Sequence, residues 1–336
     1  MLKKSWLSKV ILGCLLAPSF YLQANEVNVY SYRQPFLVQP LFDVFTEKTG
    51  IKVNVVFAKN GMAERLDREG EHSPADVLLT TDISRLVELQ DKNLLQVVKS
   101  DVLEQAVPEQ FQSVDDTWFG LTQRVRNIYS SKRLGSQDIN YEDLADPKYK
   151  GRICTRSGKH AYNVALVASM IAEHGEEKTL VWLKGFKENL ARKPQGSDRG
   201  QVQAIHQNLC DLSLGNSYYF GQMINNEEQK VWADGVNINF PNQKNRGAHV
   251  NISGVAMAKH APNRDNALAL MEFLVSEQAQ QMYAETNMEY PVRQGVALSA
   301  LVASWGEFKV DTLPLENIAK LRKSAIMLID QAQFDL

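Results

Sequence analysis

Tyrosines at two strand-to-helix junctions are the residues of this chain whose type and spacing best suit ligand chemistry. Tyr218 and Tyr219 follow the strand-like run 210–215 and begin a helical pattern. Tyr162 holds the corresponding place after the strand-like run 151–157. Ligands of open parallel sheets bind beyond the carboxyl ends of the strands. We therefore expect the three phenols to face one cleft, beside helix N-termini whose free N–H groups favour an anion.

A cluster of phenols has two uses in binding. A tyrosine has a pKa of about 10, so its ionised form needs a compensating cation at neutral pH. Ferric iron is a hard trivalent ion that prefers anionic oxygen donors, and three phenolates would balance its charge. In the alternative, neighbouring tyrosines stack on a sugar or line a dry groove. The spacing alone leaves both interpretations open.

A guanidinium at the end of the first predicted strand indicates an anion. Arg33 follows the strand-like run 27–32 and is expected to face the cleft from its other side, with Gln34 beside it. A guanidinium does not bind a cation, but its rigid fork holds a small oxyanion through two hydrogen bonds. The alternative is a surface arginine paired with a nearby acid.

Motifs of catalysis are not found in this sequence. It contains no GxSxG, P-loop or HExxH motif, and no GxGxxG after a predicted strand. The six histidines are scattered along the chain. An exported hydrolase would require a nucleophile beside a base, and the sequence offers no such pair. The chain is therefore expected to bind its ligand without transforming it.

The composition is that of a globular protein, with 336 residues of which 44% are hydrophobic and 23% charged. A formal net charge of −2 argues against a nucleic-acid partner, which usually requires a clustered basic excess. After residue 24 no segment approaches about 20 uninterrupted apolar residues, the length of a membrane span. A soluble mature chain of two domains or one large α/β unit is expected.

The first 24 residues have the pattern of a secretory signal peptide. Lys3, Lys4 and Lys9 form a basic start. Residues 10–17 form an apolar segment, and Ala24 is the small residue of a cleavage site. Export to the periplasm is therefore predicted, with cleavage near Ala24. Removal of this segment takes away three lysines and no acid, so the formal charge changes from −2 to −5.

The three cysteines leave alternatives open. Cys14 ends an Ile-Leu-Gly-Cys segment that resembles a lipoprotein box, although it also fits the apolar part of a signal peptide. Cys154 and Cys210 would reach an oxidising compartment, which permits a disulfide between them. A bridge and two separate buried thiols are both compatible with the sequence. The lack of a CxxC spacing argues against a zinc ribbon or a thioredoxin-type site.

The elements that position these residues form two α/β units. Strand and helix patterns alternate from 27 to 92, and the same rhythm resumes at Gly151. The runs 118–129 and 251–257 are strand-like without an internal turn signal, and they are predicted to cross between the units as a hinge. The predicted fold class is α/β with two lobes, each a mainly parallel sheet flanked by helices.

The predicted domain boundaries follow from these crossings. The first (N-terminal) lobe is predicted to contain residues 25–124 and about 251–300. The second (C-terminal) lobe is predicted to contain about 125–250 and 301–336. The ligand cleft is expected between the two lobes.

Eight short segments are spread over the chain that would remain after export. They are NVYSYR at 28–33, SPADVLL at 73–79, YKGR at 149–152, RSG at 156–158, DRGQVQA at 198–204, GNSYY at 215–219, NISG at 251–254 and EYPV at 289–292. As a set they resemble the periplasmic ferric-iron-binding proteins of bacterial ABC importers. The resemblance implies the hinged periplasmic binding protein fold, with iron held in the cleft between the lobes.

The resemblance also implies site residues and partners. Tyr162, Tyr218 and Tyr219 would be the ligands of Fe³⁺. A synergistic anion, carbonate or bicarbonate, would be held by four residues: Arg33, Gln34, Ser157 and Gly158. The implied partners are an inner-membrane ABC permease and a donor of ferric iron, for a monomer that does not bind nucleic acid. The alternative is a binding protein for another small solute, such as an oxyanion, a polyamine or thiamine.

The sequence departs from some of those relatives just after the first strand. They place a histidine, or a histidine and a tyrosine, where this chain has Gln34 and Pro35. Iron is therefore expected to be bound mainly from the second lobe. Tyr32 is the alternative ligand from the first lobe, but it alternates with Arg33 along a strand and should point to the opposite face.

Overall fold

The computed structural model describes residues 25–336. The predicted signal peptide and the alternative lipid attachment at Cys14 lie outside the described residues. The described chain contains nine strands: β1 (Glu26–Ser31), β2 (Lys52–Phe57), β3 (Val77–Thr80), β4 (Trp118–Ser131), β5 (Ile153–Cys154), β6 (Leu212–Asn216), β7 (Val236–Asn239), β8 (Val250–Met257) and β9 (Tyr290–Pro291).

Helices cover the strands in both halves of the described chain. They are α1 (Pro35–Thr49), α2 (Met62–Glu69), α3 (Ile83–Asp91), α4 (Asp101–Ala106), α5 (Ala161–His174), α6 (Glu176–Glu188), α7 (Asp198–His206), α8 (Ser217–Ile224), α9 (Lys230–Ala233), α10 (Arg264–Leu274), α11 (Glu277–Asn287), α12 (Ala300–Ala303), α13 (Leu315–Lys320) and α14 (Arg322–Gln331). No helix in this part of the chain is long and apolar enough to cross a bilayer.

Local sequence explains where the helices near the site begin and end. α1 starts at Pro35, which lacks an N–H that the first helical turn would leave unpaired. It ends at Gly50, whose φ of 72° lets its N–H bond to the carbonyl of Thr46. α7 starts after Ser197, whose hydroxyl accepts a hydrogen bond from the N–H of Gly200.

The strands form a mixed sheet in the order β2-β1-β3-β8-β4-β6-β5, with β7 and β9 also paired to β4. β1 pairs in parallel with β2 and β3, and β5 pairs in parallel with β6. β8 runs antiparallel to β3 and β4, and β6 and β7 run antiparallel to β4. The predicted two-lobed α/β class agrees with the structure. The second lobe has fewer parallel pairs than expected, because β4 lies beside β6 and β7 in the opposite direction.

β4 is the long strand that joins the lobes. Its residues 118–125 pair with β8, and its residues 126–131 pair with β6 and β7. β8 lies beside the first part of β4 and leads the chain back to the first lobe, where it pairs with β3. The two runs that the sequence predicted as crossing strands therefore occupy that position.

The C-terminal part of the chain contacts both lobes. Val310 forms a parallel bridge with Ala248, just before β8. The ring of Trp305 packs edge-on against Phe220 of α8, with 5.7 Å between centroids. α13 packs against α3 of the first lobe and α5 of the second. Relative motion of the lobes would therefore change the contacts of α13.

A disulfide lies in a buried cluster of the second lobe. Cys154 and Cys210 are bonded, with 5.9 Å between their Cα atoms. Both are buried with apolar side chains of α7, including Val202 and Ile205. Of the two alternatives that the sequence left open, the structure contains the bridge.

Candidate metal and anion site

A cavity of about 250 Å³ lies between the lobes and contains most of the predicted site residues. Its walls come from the start of α1, from β4, and from the first turns of α5, α7 and α8. The lining residues are Tyr32, Arg33, Gln34, Phe36, Leu37, Thr81, Arg124, Tyr162, Arg199, Tyr218, Tyr219, Gln222, Asn287 and Glu289. The structure therefore brings the three predicted metal ligands together with Arg33 and Gln34.

The first turn of α8 presents two of the tyrosines. β6 ends at Asn216, so Tyr218 and Tyr219 fall in the first turn of the helix that follows. Their rings lie side by side, with centroids 4.2 Å apart. Gly215 is required beneath them, because a Cβ there would lie 2.1 Å from Cε2 of Tyr129. The hydroxyl of Tyr129 donates to the carbonyl of Asn216 at 2.9 Å, which fixes the end of the strand.

The first turn of α5 presents the third tyrosine. His160 caps this helix, and its Nδ1 accepts a hydrogen bond from the N–H of Tyr162 at 3.3 Å. The two rings meet edge-on, with centroids 4.5 Å apart. The hydroxyl oxygen of Tyr162 lies 3.0 Å from that of Tyr218, a hydrogen-bond distance. Two phenol oxygens are thus close enough to be ligands of one ion.

Burial keeps the phenols of α8 protonated in the absence of a cation. It raises the pKa of Tyr218 well above the usual value, and the neighbouring phenols of Tyr162 and Tyr219 raise it further. Burial also raises the pKa of Tyr219 to about 12. Phenolates would therefore form here only beside a strong positive charge.

Arg33 has one paired guanidinium nitrogen and two that lack a partner in the described chain. Its side chain is 1% exposed, and its Nη2 donates to Oε2 of Glu289 at 3.0 Å. The same oxygen of Glu289 accepts a hydrogen bond from the hydroxyl of Thr122 at 2.6 Å. Nε and Nη1 of Arg33 are buried and have no partner among residues 25–336. Buried donors usually have a partner, so these two nitrogens are available to a ligand in the cavity.

Two further arginines line the cavity, and the sequence patterns did not single them out. Arg124 is 4% exposed, donates to the carbonyl of Thr81, and keeps an Nε that has no partner in the described chain. Arg199 donates to Gln222, and its guanidinium lies 5.4 Å from the ring centroid of Tyr219. The available signal for Arg124 was a charged residue inside a strand-like run, a feature that Arg126 shares.

Ser157 and Gly158, which were predicted to belong to the anion site, do not line this cavity. The carboxylate of Asp335 accepts hydrogen bonds from the Ser157 hydroxyl and from the Gly158 N–H, both at 2.7 Å. A Cβ on Gly158 would lie 2.8 Å from Cδ1 of Phe334. These donors therefore hold the C-terminal segment against the second lobe.

The first lobe offers the cavity hydrogen-bond donors rather than a free phenol oxygen. Gln34 is exposed at the start of α1, and its side chain makes no capping hydrogen bond. The hydroxyl of Tyr32 accepts a hydrogen bond from the N–H of Ala63 at 3.2 Å. The ring of Tyr32 lies under the guanidinium of Arg85, which is 3.7 Å from its centroid. Tyr32 thus has partners away from the other tyrosines.

The charges of the lining residues restrict the ligand. Three guanidiniums and one carboxylate give the cavity wall a net charge of two positive. Such a site repels a bare cation unless phenolates or an accompanying anion compensate. Residues 25–336 hold no group of three or more His, Cys, Asp or Glu that could bind a metal ion. The phenols are therefore the most numerous oxygen donors of this cavity.

Comparison with known proteins places the chain among transport proteins. Residues 41–310 match the family model described as bacterial extracellular solute-binding protein. The chain is 45% identical over 315 residues to "Iron uptake protein A1" of Synechocystis, covering 92% of this chain and 88% of that protein. It also resembles the ferric iron-binding protein A of Mannheimia haemolytica in an open conformation, with 54% identity, a TM-score of 0.89, and coverage of 93% of this chain and 100% of that one.

A second solved structure is a Trichodesmium protein in complex with iron and citrate ligands. It is 40% identical, has a TM-score of 0.88, and the match covers 92% of this chain and 99% of that one. These relatives are binding and uptake proteins by name, which agrees with the expectation that the chain is not an enzyme. The predicted resemblance is confirmed over both lobes. The chain belongs to the bacterial extracellular solute-binding protein family.

Proposed function

We propose that this chain binds ferric iron in the periplasm together with a small oxyanion, and delivers the iron to an inner-membrane ABC permease. The observation that carries the proposal is the convergence of Tyr162, Tyr218 and Tyr219 on one cavity. Phenolate oxygens are hard anionic donors, which ferric iron prefers over thiolates. Three phenolates would neutralise the charge of the ion. The names of the iron-uptake and ferric iron-binding relatives support the same ligand.

The proposed anion is carbonate or bicarbonate. Nε and Nη1 of Arg33 have no partner in the described chain, and charge-assisted hydrogen bonds from a guanidinium suit a small oxyanion. Gln34 lines the cavity beside Arg33. The net charge of two positive on the cavity wall equals in size the charge of carbonate, so iron, three phenolates and carbonate would leave the filled site neutral. This balance disfavours a polyamine, which would require carboxylates that the cavity does not supply.

Binding would couple to the arrangement of the lobes. The tyrosines belong to the second lobe and Arg33 to the first, so iron with its anion would contact both. A ligand with contacts on both lobes stabilises their closed arrangement, and β4 and β8 are the connections about which the lobes would turn. The closed form is the proposed partner of the permease. One chain supplies both sides of the cavity, so a monomer is sufficient.

Visible spectroscopy of the exported form tests the proposal. Ferric citrate added in bicarbonate buffer should produce a broad phenolate-to-iron charge-transfer band and an orange or red colour. Removal of bicarbonate should weaken the band. The band should not depend on bicarbonate in Arg33→Gln, whereas Arg85→Gln, which alters an arginine outside this cavity, should behave like the wild type.

Two other results would contradict parts of the proposal. The absence of a band would indicate an organic solute or an oxyanion as the ligand. A full band without bicarbonate, together with labelled citrate retained on the protein, would keep the phenolate ligands but replace carbonate by citrate. Citrate retention is measured because the Trichodesmium relative was solved in complex with iron and citrate ligands.

A further inference from the structure

Arg126 is a buried charged residue of the second lobe that takes no direct part in the proposed iron site. It lies on β4 opposite Asn216 of β6, where β4 enters the second sheet. Its side chain is 2% exposed, and it does not line the cavity. Burial of a guanidinium is costly unless the group is paired and hydrogen-bonded, so its partners indicate what it does.

The guanidinium of Arg126 bonds to three different elements. Nη1 donates to Oδ2 of Asp198 at 2.8 Å and to Oδ1 of Asn216 at 3.1 Å. Nη2 donates to Oδ1 of Asn163 at 2.6 Å. Asp198 begins α7, Asn216 immediately precedes α8, and Asn163 lies in the first turn of α5. One planar group thus connects the starts of three helices.

Each acceptor is close in sequence to a residue of the cavity. The pairs are Asn163 with Tyr162, Asn216 with Tyr218, and Asp198 with Arg199. A guanidinium has its donors in a rigid fork, so its acceptors are held at fixed relative positions. The distance between the first turns of α5 and α8 is therefore set in part by Arg126.

The acceptors are themselves fixed by further bonds. The side-chain nitrogen of Asn163 donates to the carbonyls of Arg156 and Ser157, both at 3.1 Å. The carboxylate of Asp198 also accepts from Nη1 of Arg156 at 3.1 Å and from the N–H of Asn216 at 3.0 Å. These contacts join the acceptors in one buried network, which we name the Arg126 cluster: Arg126, Arg156, Asn163, Asp198 and Asn216.

We propose that Arg126 is a positioning residue for iron binding, which holds the first turns of α5 and α8 at the separation that lets Tyr162, Tyr218 and Tyr219 share one ion. This inference rests on the proposed function. Partners that orient metal ligands from behind typically contribute about 10- to 100-fold to metal affinity, and we expect an effect of that size. Since Arg126 is on a strand that joins the lobes, it also links the hinge to the ligand-bearing helices.

The test compares two buried arginines of similar surroundings. Arg126→Lys keeps the charge and removes the fork. Arg246→Lys is the matched control, because Arg246 is 8% exposed, bonds to Asp311 at 2.8 Å, and lies 5.7 Å from the ring centroid of Tyr141, away from the cavity. Affinity for ferric iron is measured by competition with citrate, the charge-transfer band by visible spectroscopy, and stability by thermal unfolding.

We expect Arg126→Lys to lose affinity by about 10- to 100-fold and to shift the maximum of the band, and Arg246→Lys to keep both. If Arg126 had a purely structural role, Arg126→Lys would lower the unfolding temperature, as Arg246→Lys would, and the charge-transfer band would stay at its wild-type position. Wild-type affinity and band in a folded Arg126→Lys protein would overturn the inference. Failure of the wild type to produce any band would instead reject the proposed function, so the two failures are distinguishable.

Asn216→Ser keeps the test decisive if Arg126→Lys does not fold. Serine is a good residue before a helix, and the change removes only the bond between Arg126 and the start of α8. The bonds of Arg126 to Asn163 and Asp198 remain. We expect a smaller loss of affinity with a band shift in the same direction. An unchanged affinity and band in this variant would overturn the inference.

Discussion

Iron loading should release one proton for every tyrosine that becomes a ligand, and Tyr219→Phe tests this directly. Burial raises the pKa of Tyr219 to about 12, so the phenol is neutral at pH 7. Its ionisation at that pH costs about 7 kcal/mol, because each pKa unit corresponds to about 1.4 kcal/mol. The bound ion must supply this free energy. Phenylalanine keeps the ring beside Tyr218 and removes both the donor oxygen and the proton.

The expected magnitude follows from the number of protons. Below the pKa values of its tyrosines, the wild type releases three phenol protons on loading and the variant releases two. The ratio of the wild-type affinity to the variant affinity should therefore rise about tenfold per pH unit. Between pH 5.5 and 7.5 it should rise about 100-fold, while the wild type binds more tightly throughout.

Equilibrium dialysis of radioactive iron against citrate, at several pH values, measures this ratio without relying on colour. The pH dependence of the citrate complex and of the bicarbonate anion cancels, since both proteins meet the same solution. Tyr149→Phe is the matched control, because Tyr149 is buried in the second lobe but does not line the cavity. The ratio of the wild-type affinity to the Tyr149→Phe affinity should stay near one at every pH. A Tyr219→Phe ratio that does not change with pH would refute phenolate ligation by Tyr219.

Three further predictions concern other residues. Tyr32→Phe should leave iron affinity within about twofold of the wild type in the same dialysis assay, because its hydroxyl already bonds to Ala63; a loss of tenfold or more would make Tyr32 a ligand. Reduction of the Cys154–Cys210 disulfide, which closes a separation of 56 residues, should lower the free energy of unfolding by about 4 kcal/mol in urea denaturation; no change in midpoint would contradict this. Burial lowers the pKa of His249 to about 3, so the unfolded state binds its proton first and stability falls as the pH drops below 6.5. Between pH 6.5 and 4.5 this residue should account for about 2 kcal/mol of that fall, and denaturation of His249→Gln should lack that part; identical pH profiles would contradict the assignment.

Much of the fold follows from periodicity. The alternation of strands and helices, the long run that became β4, and its return partner β8 were all visible as patterns of apolar residues. The strand predicted at 151–157 was only partly correct, since β5 contains two residues. The carbonyls of Ile153 and Thr155 accept hydrogen bonds from the N–H groups of Ala191 and Gln195. A loop distant in sequence therefore takes the bonds that a longer strand would make, and local pattern does not predict such a loop.

The site was predictable where it depended on strand ends. Tyr162 and Tyr218 converged because the helices that carry them start at neighbouring parts of one sheet edge. Ser157 and Gly158 satisfied the same rule, but a carboxylate 178 residues further along the chain occupies the Ser157 donor. A contact of that sequence separation depends on tertiary packing. The ion pair of Arg33 and Glu289 also depends on tertiary packing, because the two residues are 256 positions apart in the sequence.

The most direct test of the central claim is a crystal structure of the iron-loaded protein, with anomalous diffraction measured at the iron absorption edge. We predict a single strong anomalous peak between the lobes, within bonding distance of the phenol oxygens of Tyr162, Tyr218 and Tyr219, with density for a planar anion against Arg33. A peak bound to other residues, or one that contacts fewer than two of these phenol oxygens, would contradict the account.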